Sequence, residues 1–157
     1  MMAACIQQEK TMPLIQIVLS GPAAAPATLQ ALQQETTELM QRILRKEAAL
    51  TVVSVTQAPA GSHAVGGAPL AAAASLQALI TAGSNSDAEK ADFIFAAQAM
   101  LTATRGTCPW AAAFAASPAP LYVALHELPA TSWGYDGRTQ AARKLERDAA
   151  RQAGGAV

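Results

Sequence analysis

Apolar and polar positions along this chain follow one succession of patterns, and the succession occurs twice. Leu14 to Leu19 is a nearly unbroken run of branched apolar residues, which predicts a strand buried on both faces; Ser20-Gly21-Pro22 ends it. After an Ala/Pro-rich link, Leu29, Leu32, Thr36, Leu39, Met40, Ile43 and Leu44 recur every three or four residues. Glu35, Glu38, Arg42 and Arg45 fall mostly on the other side, so the spacing predicts a helix from Thr28 with one apolar stripe laid on a sheet. Leu50 to Thr56 is a second strand, closed by Pro59 and Gly61. A β-α-β unit of this kind places its two strands parallel in one sheet.

Residues 57–74 form a link rich in Gly, Pro and Ala, and beyond it the pattern returns. Leu76 to Thr81 predicts a strand ended by Gly83-Ser84-Asn85. Ser86-Asp87-Ala88-Glu89 is a capping box, opening a helix that carries Phe93, Ile94, Ala97, Met100 and Leu101 and stops near Gly106. An alanine-rich insertion, Thr107 to Pro118, delays the next strand, Leu121 to Leu128. Both halves close on a similar hairpin-like segment: a proline three residues on from Thr56 or His126, and a glycine at 67 or 137. The expected organisation is an extension (1–12), one domain (13–137) of two β-α-β repeats (13–67 and 75–137), and a helical or flexible tail (138–157). The tail's only large apolar residue is Leu145, so alone it is marginal as a helix.

Composition narrows the function. Hydrophobic residues make up 52% of the 157 positions and charged ones 14%, more apolar surface than one chain of this size needs to bury, which predicts an oligomer. A formal net charge of +0 gives no electrostatic footing for nucleic acid or an anionic membrane. Two cysteines, Cys5 and Cys108, are too few for a disulfide framework, and no Cys/His spacing suits a metal. The opening residues lack a basic segment followed by a long apolar one, and the uncharged tract 48–86 is broken by prolines and glycines. No membrane association is expected, and cytoplasm is the default location.

Two segments carry a resemblance. Pro-Leu-Ile-Gln-Ile at 13–17, followed by strand, helix and strand, resembles the tautomerase superfamily, and Leu-His-Glu-Leu-Pro-Ala-Thr-Ser-Trp-Gly-Tyr-Asp-Gly at 125–137 is similar to the closing segment of 4-oxalocrotonate tautomerases. The doubled length resembles the fused members, such as malonate semialdehyde decarboxylase and the cis-3-chloroacrylic acid dehalogenases. The resemblance covers roughly 13–137 and implies an α+β fold: a four-stranded mixed sheet backed by two helices, assembled as a homotrimer, with an amino-terminal proline in a pocket at a subunit boundary. It implies keto-enol isomerisation of a small keto or enol acid with no cofactor and no metal; decarboxylation and dehalogenation are less favoured chemistries.

Carried over residue by residue, the family's catalytic proline falls on Pro13, behind twelve residues, and its closing-segment aromatic on Trp133. The matching position for the proline in the second unit is Ser75. The family's two arginine positions fall near Pro22 and Asn85, and near Val52 and Tyr122, so no arginine is retained at any of the four. A two-pronged guanidinium grip on a carboxylate is not reproduced by asparagine or tyrosine, which argues against a dicarboxylate substrate. Asn85 is a candidate donor to a substrate oxygen, though an asparagine between strand and helix is commonly a turn residue. Tyr122 and His126 share strand parity and face the same way, a pair able to polarise a carbonyl or move a proton, or to serve as structural hydrogen-bonders. Arg105 and Arg138 are the nearest substitutes for the missing arginines, each more readily a solvated side chain than a catalytic one. Two readings follow: Pro13 as proton shuttle, Trp133 excluding water and Tyr122, Asn85 or a nearby backbone amide steadying an enolate; or a catalytically silent protein of the same fold serving in binding or structure.

Overall fold

The computed structural model describes residues 11–103, 109–116 and 119–155. Strands β1 (Leu14–Ser20), β2 (Val52–Ala58), β5 (Ala73–Thr81) and β6 (Tyr122–Leu128) form one sheet in the order β2-β1-β5-β6. β1 and β2 are parallel, as are β5 and β6, and the two units meet through the antiparallel pair β1–β5. The helices α1 (Pro26–Arg42) and α2 (Asp87–Thr102) cover one face. This is the mixed four-stranded sheet expected of two tandem β-α-β units.

Alternation along the central strands sets the two faces apart. Ile15, Ile17 and Leu19 of β1 and Leu76, Ala78 and Ile80 of β5 point to the helices and are buried; so are Leu32, Leu39 and Met40 of α1 and Phe93, Ala97, Met100 and Leu101 of α2. The single polar position in the α1 stripe, Thr36, is also buried and donates its hydroxyl to Met100 Sδ at 3.6 Å, joining the two helices. The opposite face carries Leu14, Gln16 and Val18, with Gln77 and Leu79 of β5 beside them and Tyr122 and His126 on β6, and no helix lies over it among the described residues.

Each unit closes on the same device. β3 (Ala64–Val65) and β4 (Ala68–Pro69) pair across Gly66-Gly67, and β7 (Gly134–Tyr135) and β8 (Arg138–Thr139) across Asp136-Gly137. All four turn residues have positive φ, the backbone hand that matches a two-residue hairpin to the twist of its strands. The tail is the helix α4 (Gln140–Gly154), capped by the Thr139 hydroxyl, which accepts from the Ala142 amide.

Within the alanine-rich insertion, Pro109–Ala116 is a helix, α3, with Trp110, Ala111 and Phe114 buried. Alanine is the strongest helix former, and the two aromatics, stacked at 5.4 Å between centroids, anchor it. α1 begins at Pro26, not Thr28, because proline at the first helical position loses no hydrogen bond. Arg45 is not on the outer face of α1: the helix ends at Arg42, and Arg45 sits in left-handed backbone (φ 56°) in the turn beyond. α2 ends at Thr102; Gly106, Arg105 and both cysteines lie outside the described residues.

Candidate functional site

Pro13 is the residue before β1, and its carbonyl accepts from the Val52 amide at 3.0 Å, tying it to the start of β2. Its nitrogen is in amide linkage to Met12, and the residue is buried. Because β5 runs antiparallel to β1 (Leu14 opposite Leu79), the carboxyl end of β5 and the turn into α2 lie at the same end of the sheet. β6 is parallel to β5, so its carboxyl end and the β7–β8 hairpin with Trp133 lie there too. α4 then crosses this end. At its start the buried Gln140 donates its amide to the Met12 carbonyl at 3.3 Å, and further along, Arg143, Arg147 and Ala150 face Leu50, two residues before β2.

The turn from β5 into α2 is held by a polar cluster that ties the two units together. Ser86 caps α2 by accepting from the Glu89 amide at 3.2 Å, while the Glu89 carboxylate accepts from the Ser86 amide at 2.9 Å. The same carboxylate pairs with Arg45 at 2.8 Å and accepts from Asn85 at 3.2 Å. The Ser86 amide, opposed by partial desolvation and aided by Arg45 and Asn85, holds the Glu89 carboxyl down at about 2, against an ordinary 4.5. Lys46 is buried, and its ammonium donates to Ser84 Oγ at 2.8 Å, the Ser84 hydroxyl in turn reaching the Thr81 carbonyl at 2.7 Å. Arg45 and Lys46 were not singled out by sequence reasoning. Their signal was a basic pair between helix and strand, where a left-handed turn residue is ordinarily glycine or asparagine.

The predicted site residues are partly brought together. Asn85 is at the Pro13 end of the sheet, but its amide donates to the Leu44 carbonyl at 3.1 Å as well as to Glu89, so both amide hydrogens are engaged within the fold. Trp133 is half-buried in the hairpin, its indole N–H shielded from solvent and without a hydrogen-bond partner, beside a shallow recess of about 410 Å³ formed by residues 131–139. His126 is in register with Leu79, which is opposite Leu14; its Nε2 lies 3.0 Å from the Gln77 amide oxygen on the uncovered face. Tyr122 shares that face, 76% exposed, but is in register with Ser75 and so lies about 13 Å further along the strand, toward the other end. Arg138 pairs with Glu146 at 2.8 Å.

The opposite end of the sheet is closed by α3. Trp110 donates its indole N–H to the Ser20 carbonyl at 3.0 Å, and the Ala24 amide is held by the Gln57 side chain at 2.8 Å. Gly21 is pressed so close to Ala71 that an added Cβ would sit 2.7 Å from the Ala71 carbonyl oxygen. Among the described residues no cluster of His, Cys, Asp and Glu could hold a metal ion, and no helix is long and apolar enough to cross a membrane.

Two tandem β-α-β units, joined through an antiparallel central pair and each ending in a hairpin, are shared with solved structures. A crystal structure of Pt0534 inactivated by 2-oxo-3-pentynoate superposes with a TM-score of 0.65 at 13% identity, over 83% of this chain and 98% of that one. A wild-type fused 4-OT solved as an asymmetric trimer gives 0.62 at 22% identity, over 82% and 98%. The fold is that of the tautomerase superfamily. A macrophage migration inhibitory factor-like protein from Entamoeba histolytica has the same tautomerase fold, with a TM-score of 0.61 at 16% identity over 82% and 99%. No protein-family model and no curated protein matches the sequence.

Proposed function

We propose that this chain is a latent tautomerase-type isomerase for a small keto or enol acid: active when Pro13 is the amino terminus, and silent while Met12 remains attached. The observation that carries it is the position of Pro13, at the first residue before β1, where the β5–α2 turn, the Trp133 hairpin and α4 meet. An amide nitrogen shares its lone pair with the carbonyl and is no base. A free prolyl amine titrates near 8, and partial burial brings it toward neutrality, where it takes and returns a proton efficiently.

Freeing Pro13 removes the Met12 carbonyl from Gln140. In the proposed enzyme Trp133 limits water, Asn85 positions the turn beside the substrate, and Tyr122 and His126 face a neighbouring subunit across the uncovered side of the sheet. The assembly is a homotrimer, the state in which a fused 4-OT with this fold has been solved. A keto acid is the substrate class because a neighbour of the same fold is inactivated by 2-oxo-3-pentynoate. The mechanism calls on no cofactor.

The silent reading is favoured by one specific observation, the amide linkage and burial of Pro13, and applies to the chain that starts at Met1. Ketonisation of phenylenolpyruvate separates the two. A chain beginning at Pro13 is expected to turn over, to lose at least about a hundredfold in kcat on Pro13→Ala, and to exceed the Met1 chain by a similar factor. Equal turnover by both chains, or indifference to Pro13→Ala, refutes the proposal.

A further inference from the structure

We infer that the outer recess between α4 and the turn before β2 is a binding site for a small monocarboxylate with an apolar or aromatic tail. The recess, about 330 Å³, is lined by Leu50, Tyr135, Arg143, Glu146, Arg147 and Ala150. Arg143 and Arg147 are four residues apart on α4 and therefore present their guanidinium groups along one face.

The charges in the lining do not cancel. Arg143 is fixed in place: its Nη2 donates to the Tyr135 carbonyl at 2.9 Å, and the guanidinium lies 3.7 Å above the Tyr135 ring. Its one ion-pair partner among the described residues, Asp136, is 3.9 Å away and 84% exposed, too solvated to neutralise it. Glu146, the one carboxylate of the lining, is already taken by Arg138 at 2.8 Å. Arg147 has no ion-pair partner among the described residues. A partly shielded recess with two guanidinium groups and an engaged carboxylate selects an anion. A carboxylate matches the planar fork of Arg147 with two parallel hydrogen bonds, and Leu50, Ala150 and the Tyr135 ring cover an apolar tail.

The recess adjoins the Pro13 end of the sheet, since Leu50 is two residues before Val52, whose amide binds the Pro13 carbonyl. A keto acid held there shares the ligand class proposed above, and the site rests on that proposal only for the keto group. Phenylacetate has the carboxylate and the ring but nothing to tautomerise, so its binding is independent of turnover at Pro13.

The test is a titration of the full chain with phenylacetate, followed by amide NMR. Saturable shifts are expected at Leu50, Tyr135, Arg143 and Arg147, weakened about tenfold by Arg147→Gln and left unchanged by Lys144→Gln. Both variants keep a good helix former in α4, and unaltered amide shifts elsewhere confirm the fold. Equal binding of the neutral phenylacetamide would show that the site is merely apolar and would overturn the inference. Displacement of phenylacetate by equimolar inorganic phosphate, or the absence of saturable shifts, would overturn it as well.

Discussion

Neutralising Glu89 isolates the contact that joins the two β-α-β units. Its carboxylate accepts from the Ser86 amide at the head of α2, pairs with Arg45 from the turn after α1, and accepts from Asn85. Glu89→Gln keeps an oxygen for the Ser86 amide and removes the charge. The fall of the carboxyl from 4.5 to about 2 corresponds to roughly 3 kcal/mol at full strength. With 26% of the side chain exposed, solvent screening reduces the expected loss to about 1–2 kcal/mol at neutral pH. The sign follows from linkage: a carboxyl depressed by folding stabilises above its unfolded pKa, and that stability is lost as pH falls through the folded value. The wild-type advantage should therefore be full above about pH 5 and shrink between 4.5 and 2. Urea unfolding followed by far-UV circular dichroism, on both proteins at about pH 7, 4.5 and 2.5, measures the gap. Other carboxyls titrate alike in the two chains and drop out of the difference. A gap of the same size at all three pH values, or none at neutrality, would refute the electrostatic account.

Phe93→Ala removes a side chain with no exposure from between α2 and the sheet and should cost about 3–5 kcal/mol in urea unfolding. Trp110→Phe retains the stack on Phe114 but leaves the buried Ser20 carbonyl without its donor, with an expected loss of about 1–3 kcal/mol and a fall in thermal midpoint. Gly134→Ala drives a methyl into the Arg138 carbonyl oxygen, so it should break the β7–β8 pair and release the start of α4, read as faster amide exchange over residues 134–142. Gln140→Ala should loosen α4 from Met12 and raise amide exchange at the first turn of that helix while leaving the sheet protected.

The four sheet strands were legible because their apolar runs are bounded by Gly, Pro and Ser, and the Ser86–Glu89 box marked the start of α2 outright. The duplicated hairpins showed in the Gly66-Gly67 and Asp136-Gly137 pairs, which suit the left-handed turn. α3 was hidden because seven of the twelve residues from 107 to 118 are alanine or proline, so burying Trp110 and Phe114 leaves no apolar-polar period to read. The α4 docking was hidden for another reason. Its anchors are polar contacts, Gln140 to a carbonyl and Arg143 to Tyr135, and nothing in a helix's own pattern names a distant backbone acceptor. For the site, Pro13 and Trp133 were named by the resemblance, and their place at one end of the sheet follows from the β1–β5 and β5–β6 pairings. The engagement of Asn85 by Leu44 and the pairing of Arg45 with Glu89 depend on contacts across more than forty residues.

The antiparallel junction of β1 with β5 has a kinetic meaning. Two half-length chains pairing this way would meet at a rate set by their concentration, and every change in one half would be copied at both ends of the pair. A single chain joining them through residues 59–72, which carry the β3–β4 hairpin, makes the encounter intramolecular. The pairing no longer depends on dilution. The two ends are also released from each other, so a helix can seal one while the other diverges under separate selection.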